Sequence, residues 1–259
     1  MEILFKILPV DLLEEFKLEF DRSIITRFEQ LHESALSIDT FSFYTSVSVV
    51  FSSKIEGQDI ELDSFIKHKR FGTKYLPEYT RKIDDLYDAY LFAQRTKLSK
   101  QSLDHAHALL TKHILQKSHQ RKLRTGNMFV VAKDGGIEYV AAPPNKVRPE
   151  MKKLYDDIEA LLEAQLSFEE VFFFASLLHL VCVKIHPFED GNGRISRLLE
   201  KWFLSQKLGE TAWFIQSEKN YYLYHQTYYN NLRRLGLEYE QLKYSEAYLF
   251  LKMLPNALK

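Results

Sequence analysis

Chain-breaking residues are scarce in this sequence: nine Gly and seven Pro stand among 259 residues, each below the average usage of about 7% and 5%. Few places are left for turns, so the long stretches between them must form regular structure. Their apolar residues recur at three- and four-residue spacing, as in Leu154, Ile158, Leu161 and Leu162, and again in Val171, Phe174, Leu178 and Val181. That spacing gathers the apolar groups on one helix face. Ser167 stands three residues before Glu170 at the head of the second run, a capping-box pattern that starts a helix there. The fold class is mainly α. Further helical segments are expected around 10–33, 40–55 and 78–97, with a polar stretch from Gly57 to Pro77 between the last two.

One segment has a different pattern. Met128-Phe129-Val130-Val131-Ala132 and Ile137-Glu138-Tyr139-Val140 are rich in β-branched and aromatic residues and flank Lys133-Asp134-Gly135-Gly136, which predicts a β-hairpin. Ala141-Ala142-Pro143-Pro144-Asn145 follows, and is expected to be extended because each Pro restricts the residue before it. A lone hairpin is marginal in water, so this one must lie against helices.

With 46% apolar, 27% charged and 14% aromatic residues, disordered, collagen-like and disulfide-scaffold classes are excluded, and the length suits one large domain or a domain with an accessory part. Lys and Arg number 35 against 35 Asp and Glu, so no overall field draws the chain to nucleic acid or to an anionic membrane. Two basic groups, Lys67-His68-Lys69-Arg70 and the scattered Lys117, His119, Arg121, Lys122 and Arg124, lack aromatic interleaving and are read as solvated loops, so nucleic acid is not favoured as a partner. The single cysteine, Cys182, lies in an apolar run and fits a reducing compartment. The acid at Glu2 and the lack of a small-residue cleavage site before Pro9 argue against a signal peptide. The longest apolar stretch, Val171 to Ile185, falls short of the ~20 residues a spanning helix needs. A soluble, cytoplasmic protein is expected.

The chemistry concentrates in His186-Pro187-Phe188-Glu189-Asp190-Gly191-Asn192-Gly193-Arg194-Ile195-Ser196-Arg197, between the apolar helix and a second one expected over Leu198 to Leu208. Gly191 and Gly193 permit positive φ and let backbone N–H groups converge at a helix start, a geometry that binds anions. Asn192 adds neutral donors, and Arg194 and Arg197, one helical turn apart, form a cationic clamp. A polyphosphate is the natural guest. Asp190 is placed to hold Mg²⁺ together with phosphate oxygens, and His186 at the loop edge is suited to act as a general base near neutral pH.

This run resembles the signature of the Fic family, H-P-F-x-[D/E]-G-N-[G/K]-R-x-x-R, without exception. The resemblance implies a mainly α, Fic-like core that transfers the AMP part of ATP to a hydroxyl side chain of a target protein. It assigns His186 to the target hydroxyl, Asp190 to Mg²⁺, Asn192 with the Gly191 and Gly193 backbone to the α- and β-phosphates, and Arg194 and Arg197 to the β- and γ-phosphates. The hairpin is similar to the family's flap, which aligns a target segment by strand addition, although Thr125-Gly126-Asn127-Met128-Phe129 departs from the Gly-x-[aromatic]-Arg start of many flaps. Tyr228 and Tyr229 resemble a nucleoside-pocket segment, core packing being the equal alternative.

Upstream, Ser52-Ser53-Lys54-Ile55-Glu56-Gly57 is similar to the family's inhibitory motif, [S/T]-x-x-x-E-[G/N]. The resemblance implies that Glu56, with Ser52, pairs with Arg197 and keeps it from the γ-phosphate. The expected organisation is a helical N-terminal region over 1–100 carrying the inhibitory helix at about 40–57, and a Fic-like catalytic core with C-terminal helices over 101–259. The expected function is an autoinhibited, Mg²⁺- and ATP-dependent protein adenylyltransferase acting on a Ser, Thr or Tyr hydroxyl of a partner protein or of itself, with homo-oligomerisation left open. Removal of AMP from a protein and a non-enzymatic nucleotide-binding module are the alternatives. The kinase-like Doc branch carries Lys where this chain has Gly193.

Overall fold

The computed structural model describes residues 4–39, 41–131 and 135–259. The helices run α1 (Leu13–Leu18), α2 (Ser23–Glu29), α3 (Phe43–Ile55), α4 (Leu62–Phe71), α5 (Pro77–Gln94) and α6 (Lys100–Leu110) before the hairpin of β1 (Phe129–Val131) and β2 (Ile137–Val140). After it come α7 (Pro144–Glu163), α8 (Phe168–Ile185), α9 (Asn192–Leu208), α10 (Ser217–Leu223), α11 (His225–Arg234) and two short helices, α12 (Tyr248–Leu251) and α13 (Met253–Asn256).

Helix α8 is the axis of the molecule. Ser167 and Glu170 close its N-terminus as a reciprocal capping box, and every residue from Val171 to Ile185 is buried. A helix apolar all round must be enclosed; α1, α7, α9, α12 and α13 pack against it. Helix α9 runs beside α8, and the His186–Arg197 run spans the loop between them and the start of α9. Because α9 begins at Asn192 and not at Leu198, the residues expected to hold phosphate lie in its first turns. Cys182 is buried in α8. Among the described residues no helix is long and apolar enough to cross a membrane.

The expected 10–33 segment is two helices. Asp21 Oδ1 accepts from the Ser23 backbone N–H at 3.0 Å, a local bond that competes with helix continuation. The stretch from Gly57 to Pro77 contains α4, which the polar composition hid; its single fully enclosed anchor is Phe65, 0% exposed. Pro144 and Asn145 are helical, not extended: Pro143 occupies the N-cap and Pro144 the first helical position, where its missing N–H costs nothing. The basic group at 67–70 is largely neutralised by Lys67–Asp63 (2.6 Å), Lys69–Asp84 (3.0 Å) and His68–Asp84 (3.1 Å) contacts.

The hairpin forms as expected, with Phe129 opposite Val140 and Val130 opposite Tyr139, and an irregularity between Val130 and Val131. Its turn residues Ala132, Lys133 and Asp134, like Thr40 at the head of the expected inhibitory helix and Met1 to Ile3, lie outside the described residues. It is tied to the helices by the Val140 N–H donating to the Leu237 carbonyl (2.8 Å) and by a Glu138–Arg233 ion pair at 3.2 Å.

Candidate active site

His186 closes α8 in the left-handed conformation, φ 52°, an uncommon position for a non-Gly side chain that needs support from its surroundings. The support is Arg124, 3% exposed. Its Nε donates to the His186 carbonyl (2.6 Å), Nη2 to the carbonyls of Ala142 (2.5 Å) and Ile185 (3.1 Å), and Nη1 to Gly126 (2.7 Å). Its backbone N–H donates to the Pro187 carbonyl at 2.9 Å. Helix ends leave carbonyls without partners, and a planar fork of five donors meets several at once. Sequence reasoning placed Arg124 among solvated cations and looked for the flap's opening pattern at Thr125. The four residues just before Thr125, Arg121-Lys122-Leu123-Arg124, share with that pattern only the closing Arg, and Arg121 takes φ 63°, in the conformation a Gly adopts. Burial pushes the His186 imidazole down to about 4, against smaller opposing effects of the Val183 carbonyl and Glu56. The ring is neutral at physiological pH and able to accept a proton.

Sequence reasoning also missed His107 of α6. Its ring stacks on Phe188 at 3.7 Å between centroids, it accepts from the Arg121 backbone N–H at 3.2 Å, and its Nε2 lies 3.0 Å from the Asp190 carbonyl. It splints the loop from below. Burial lowers its pKa to about 4 as well. The available signal was its place on an apolar face with Leu103, Ala106 and Leu110, where a His needs polar partners.

On the other side of the loop Gly191 takes φ 82°, and a Cβ there would come within 2.8 Å of Leu110 and 2.9 Å of Thr111, so any other residue would be strained and would have to displace those side chains. Asp190 Oδ1 accepts from the Gly191 N–H (2.5 Å) and from Arg194 Nη2 (2.7 Å), while its side chain stays 48% exposed. Asn192 Nδ2 donates to the Phe188 carbonyl and Oδ1 accepts from the Phe188 N–H, both at 2.8 Å. Its side chain thus braces the loop instead of pointing freely at a ligand. Arg194 is 4% exposed, yet its Nε and Nη1 have no hydrogen-bond partner among the described residues. Buried cationic donors without partners are costly, and an anion with several oxygens fits them.

Arg197, 1% exposed, has Nε and Nη2 engaged by α3. Nε donates to Ser52 Oγ (2.9 Å), and Nη2 to the Ser52 carbonyl (3.1 Å) and to Glu56 Oε1 (2.6 Å). The Glu56 side chain is 29% exposed. Burial acts to raise its pKa, but Arg197 and then Arg194 outweigh burial and hold the carboxyl below its usual range. Gly193 is helical, not at positive φ; its value is space, because a Cβ there would overlap Glu56 Oε1. Helix α3, which carries Ser52 and Glu56 at its end, packs on α5 and α10 and buries Val47, Val49, Val50 and Ile55.

The two tyrosines differ. Tyr228 is 1% exposed and joins a buried line in which its hydroxyl lies 3.0 Å from His179 Nε2, His179 Nδ1 lies 2.8 Å from Glu200 Oε2, and the Tyr221 hydroxyl donates to the same oxygen at 2.7 Å. Tyr229 is half-buried, and burial, followed by Glu56, pushes its phenol up to about 12. Of the pair, only Tyr229 is open enough to meet a nucleoside.

A helical core thus presents a neutral imidazole, an exposed carboxylate and two buried guanidinia around one helix N-terminus, a set of groups whose chemistry suits an anionic ligand. Residues 97–204 match the Fic/DOC family, and this part of the chain is a Fic domain. Solved structures agree on the fold. A Fic family protein from Desulfovibrio desulfuricans superposes with a TM-score of 0.75 at 20% identity, over 99% of this chain and 74% of that one. A Fic domain containing signaling protein from Bacteroides thetaiotaomicron gives 0.62 at 18% identity, over 95% and 91%. Fic-1 from C. elegans gives 0.65 at 17%, over 95% and 71%. No curated protein gives a significant match by sequence.

Proposed function

We propose that the protein is a Mg²⁺- and ATP-dependent adenylyltransferase, held in check by Glu56, that modifies a hydroxyl side chain of a target protein. The match of residues 97–204 to the Fic/DOC family supports a transferase of this kind. The observation that carries the finer reading is the state of the two arginines: Arg194 keeps two buried donors without a partner among the described residues, while Glu56 and Ser52 engage Arg197 one turn on. A guanidinium that pairs with a carboxylate cannot offer the same N–H groups to a phosphate.

In the proposed reaction His186 takes the proton of the target hydroxyl, the hydroxyl oxygen bonds to the α-phosphorus of ATP, and the bond to the bridging oxygen breaks to release pyrophosphate. The backbone at Gly191–Gly193 with Arg194 cradles the phosphates, and Arg197 joins once Glu56 has withdrawn. Asp190 is the residue that would hold Mg²⁺, whose charge offsets that of the phosphates. Among the described residues no group of three or more His, Cys, Asp or Glu is arranged around a metal, so phosphate oxygens and water would complete its shell. A Lys at position 193, as in the Doc pattern, does not fit beside Glu56, since even a Cβ there overlaps it.

Removal of AMP from a modified protein is the second reading, favoured by Glu56 lying near enough to His186 to act on its proton affinity. Incubation with ATP labelled at the α-phosphorus and a lysate distinguishes them. Label should appear on protein, more strongly with Glu56→Gly than with wild type, and vanish with His186→Ala. Label from γ-labelled ATP alone, or release of AMP from a premodified target with no forward transfer, would overturn the proposal.

A further inference from the structure

Nδ1 of His186 faces both the hairpin and the end of α8. Helix α8 ends just before a proline, and Pro187 has no N–H to complete the helical bond to the Val183 carbonyl. That carbonyl accepts instead from the Tyr139 hydroxyl at 3.0 Å. His186 Nδ1 lies 3.3 Å from the same carbonyl and 3.2 Å from Tyr139 Oη, so the three groups close a small triangle. A carbonyl can only accept, so the arrangement that leaves none of the three groups unsatisfied sends the single phenolic proton to Val183 and turns the phenol's lone pairs to the imidazole. Nδ1 thus faces two acceptors and must carry the ring proton, which leaves Nε2 as the basic nitrogen.

Nothing lets the phenol turn away. Tyr139 is 1% exposed, pairs with Val130 across the hairpin, and is covered by Lys184 Nζ at 4.3 Å over its ring. Its ring meets the His186 ring edge-on, 6.1 Å between centroids. The neighbouring hairpin residues Phe129, Val131 and Ile137 are about half exposed (55%, 50% and 47%). One hairpin therefore presents an apolar edge outward and grips the imidazole inward. The other charged groups acting on His186 are Glu56 from α3, Arg124 from the segment before β1, and Asp190 from its own loop.

We propose that Tyr139 is a positioning residue for His186: it fixes the tautomer that leaves Nε2 free, and so makes base competence depend on the hairpin being seated. This rests on His186 acting as the base, so the test needs a readout that does not require turnover. Tyr139→Phe keeps the ring under Lys184 and removes only the hydroxyl. In protein labelled with ¹⁵N-histidine, with the His186 signals assigned by their loss in His186→Ala, long-range ¹H–¹⁵N spectra should show the Nδ1–H form in the native chain and a mixture with the Nε2–H form in Tyr139→Phe. In the Glu56→Gly background the same substitution should lower kcat by about 10-fold with KM for ATP unchanged, and move the acid limb of the kcat profile to lower pH, because the imidazolium loses an acceptor. A His186 that stays in the Nδ1–H form in folded Tyr139→Phe overturns the inference. So does loss of that form in Lys184→Met, which keeps the hydroxyl and would show that the lysine, not the phenol, holds the ring. Absence of any transfer in Glu56→Gly would sink the transferase reading instead, leaving the tautomer measurement to decide the role of Tyr139.

Discussion

The two sides of the loop between α8 and α9 are held in opposite ways. On the base side His186 is gripped by groups that have no reason to move during a reaction: Arg124 on its carbonyl, Tyr139 against its ring, and His107 under Phe188 and Asp190. On the phosphate side Arg197 is gripped by Glu56, whose side chain is 29% exposed and occupies space that a side chain at position 193 would need. One side is built to stay and the other to open. Since α3 is buried along its length against α5 and α10, opening amounts to withdrawal of the Glu56 side chain or of the last helical turn. Detachment of the helix would expose buried Val47, Val49 and Val50 at about 25 cal/mol per Å² of apolar surface.

The comparison can be broken at its strongest point by His186→Ala, which should lower transfer in the Glu56→Gly background by about 10²–10⁴-fold, the range for a positioned base. ATP binding measured by calorimetry should persist, because the imidazole lies on the side that the phosphates do not use. Next in size is the phosphate side. Glu56→Gly should raise transfer by about 5–150-fold, the usual span of a coupling between two competing occupants, and initial rates with labelled ATP check it.

Gly193→Ala sharpens the claim that Glu56 and the glycine share one space. It should cost the native chain about 1–3 kcal/mol, as overpacking does, yet cost much less in Glu56→Gly, where the overlap is gone. A double-mutant cycle of urea midpoints reads the difference, and equal costs in both backgrounds would sink the claim.

The smallest effect comes from pH. His186 and His107 are held at about 4 by burial, below their ordinary 6.5. Between those values the unfolded chain binds more protons, so their contribution is complete above pH 6.5 and is lost as pH falls toward about 4. Glu56 is held below its ordinary 4.5, so its contribution is complete above 4.5 and is lost only as pH falls through its lower folded value. Urea titrations should therefore show His107→Phe flattening the loss between pH 6.5 and 4, and Glu56→Gln flattening only the part below 4.5.

How much of this was legible in the sequence varies from residue to residue. The capping box at Ser167 and Glu170, the apolar run of α8 and the hairpin were readable because each is a local pattern of spacing or propensity. Helix α4 was not, since Phe65 anchors a polar segment through a tertiary contact that no periodicity announces. Arg124 read as one cation among several, and only the carbonyls left at the end of α8 show what its guanidinium is for. Ser52 and Glu56 by themselves are an ordinary helix end; resemblance alone singled them out, and their contacts with Arg197 span 145 and 141 positions.

Taken alone, the amino-acid sequence determined the helical class, the turn at Gly191 and the gathering of an imidazole, a carboxylate and two guanidinia within one loop and the helix turns after it, because residues close along the chain cannot avoid meeting. Tertiary structure decided which of those groups are engaged and which are free. Arg194 is left with unpartnered donors, Arg197 is claimed by Glu56, and the His186 proton is directed by Tyr139, because each outcome depends on side chains that folding brings within hydrogen-bond range from distant segments, where short-range geometry and burial set hydrogen bonding and charge.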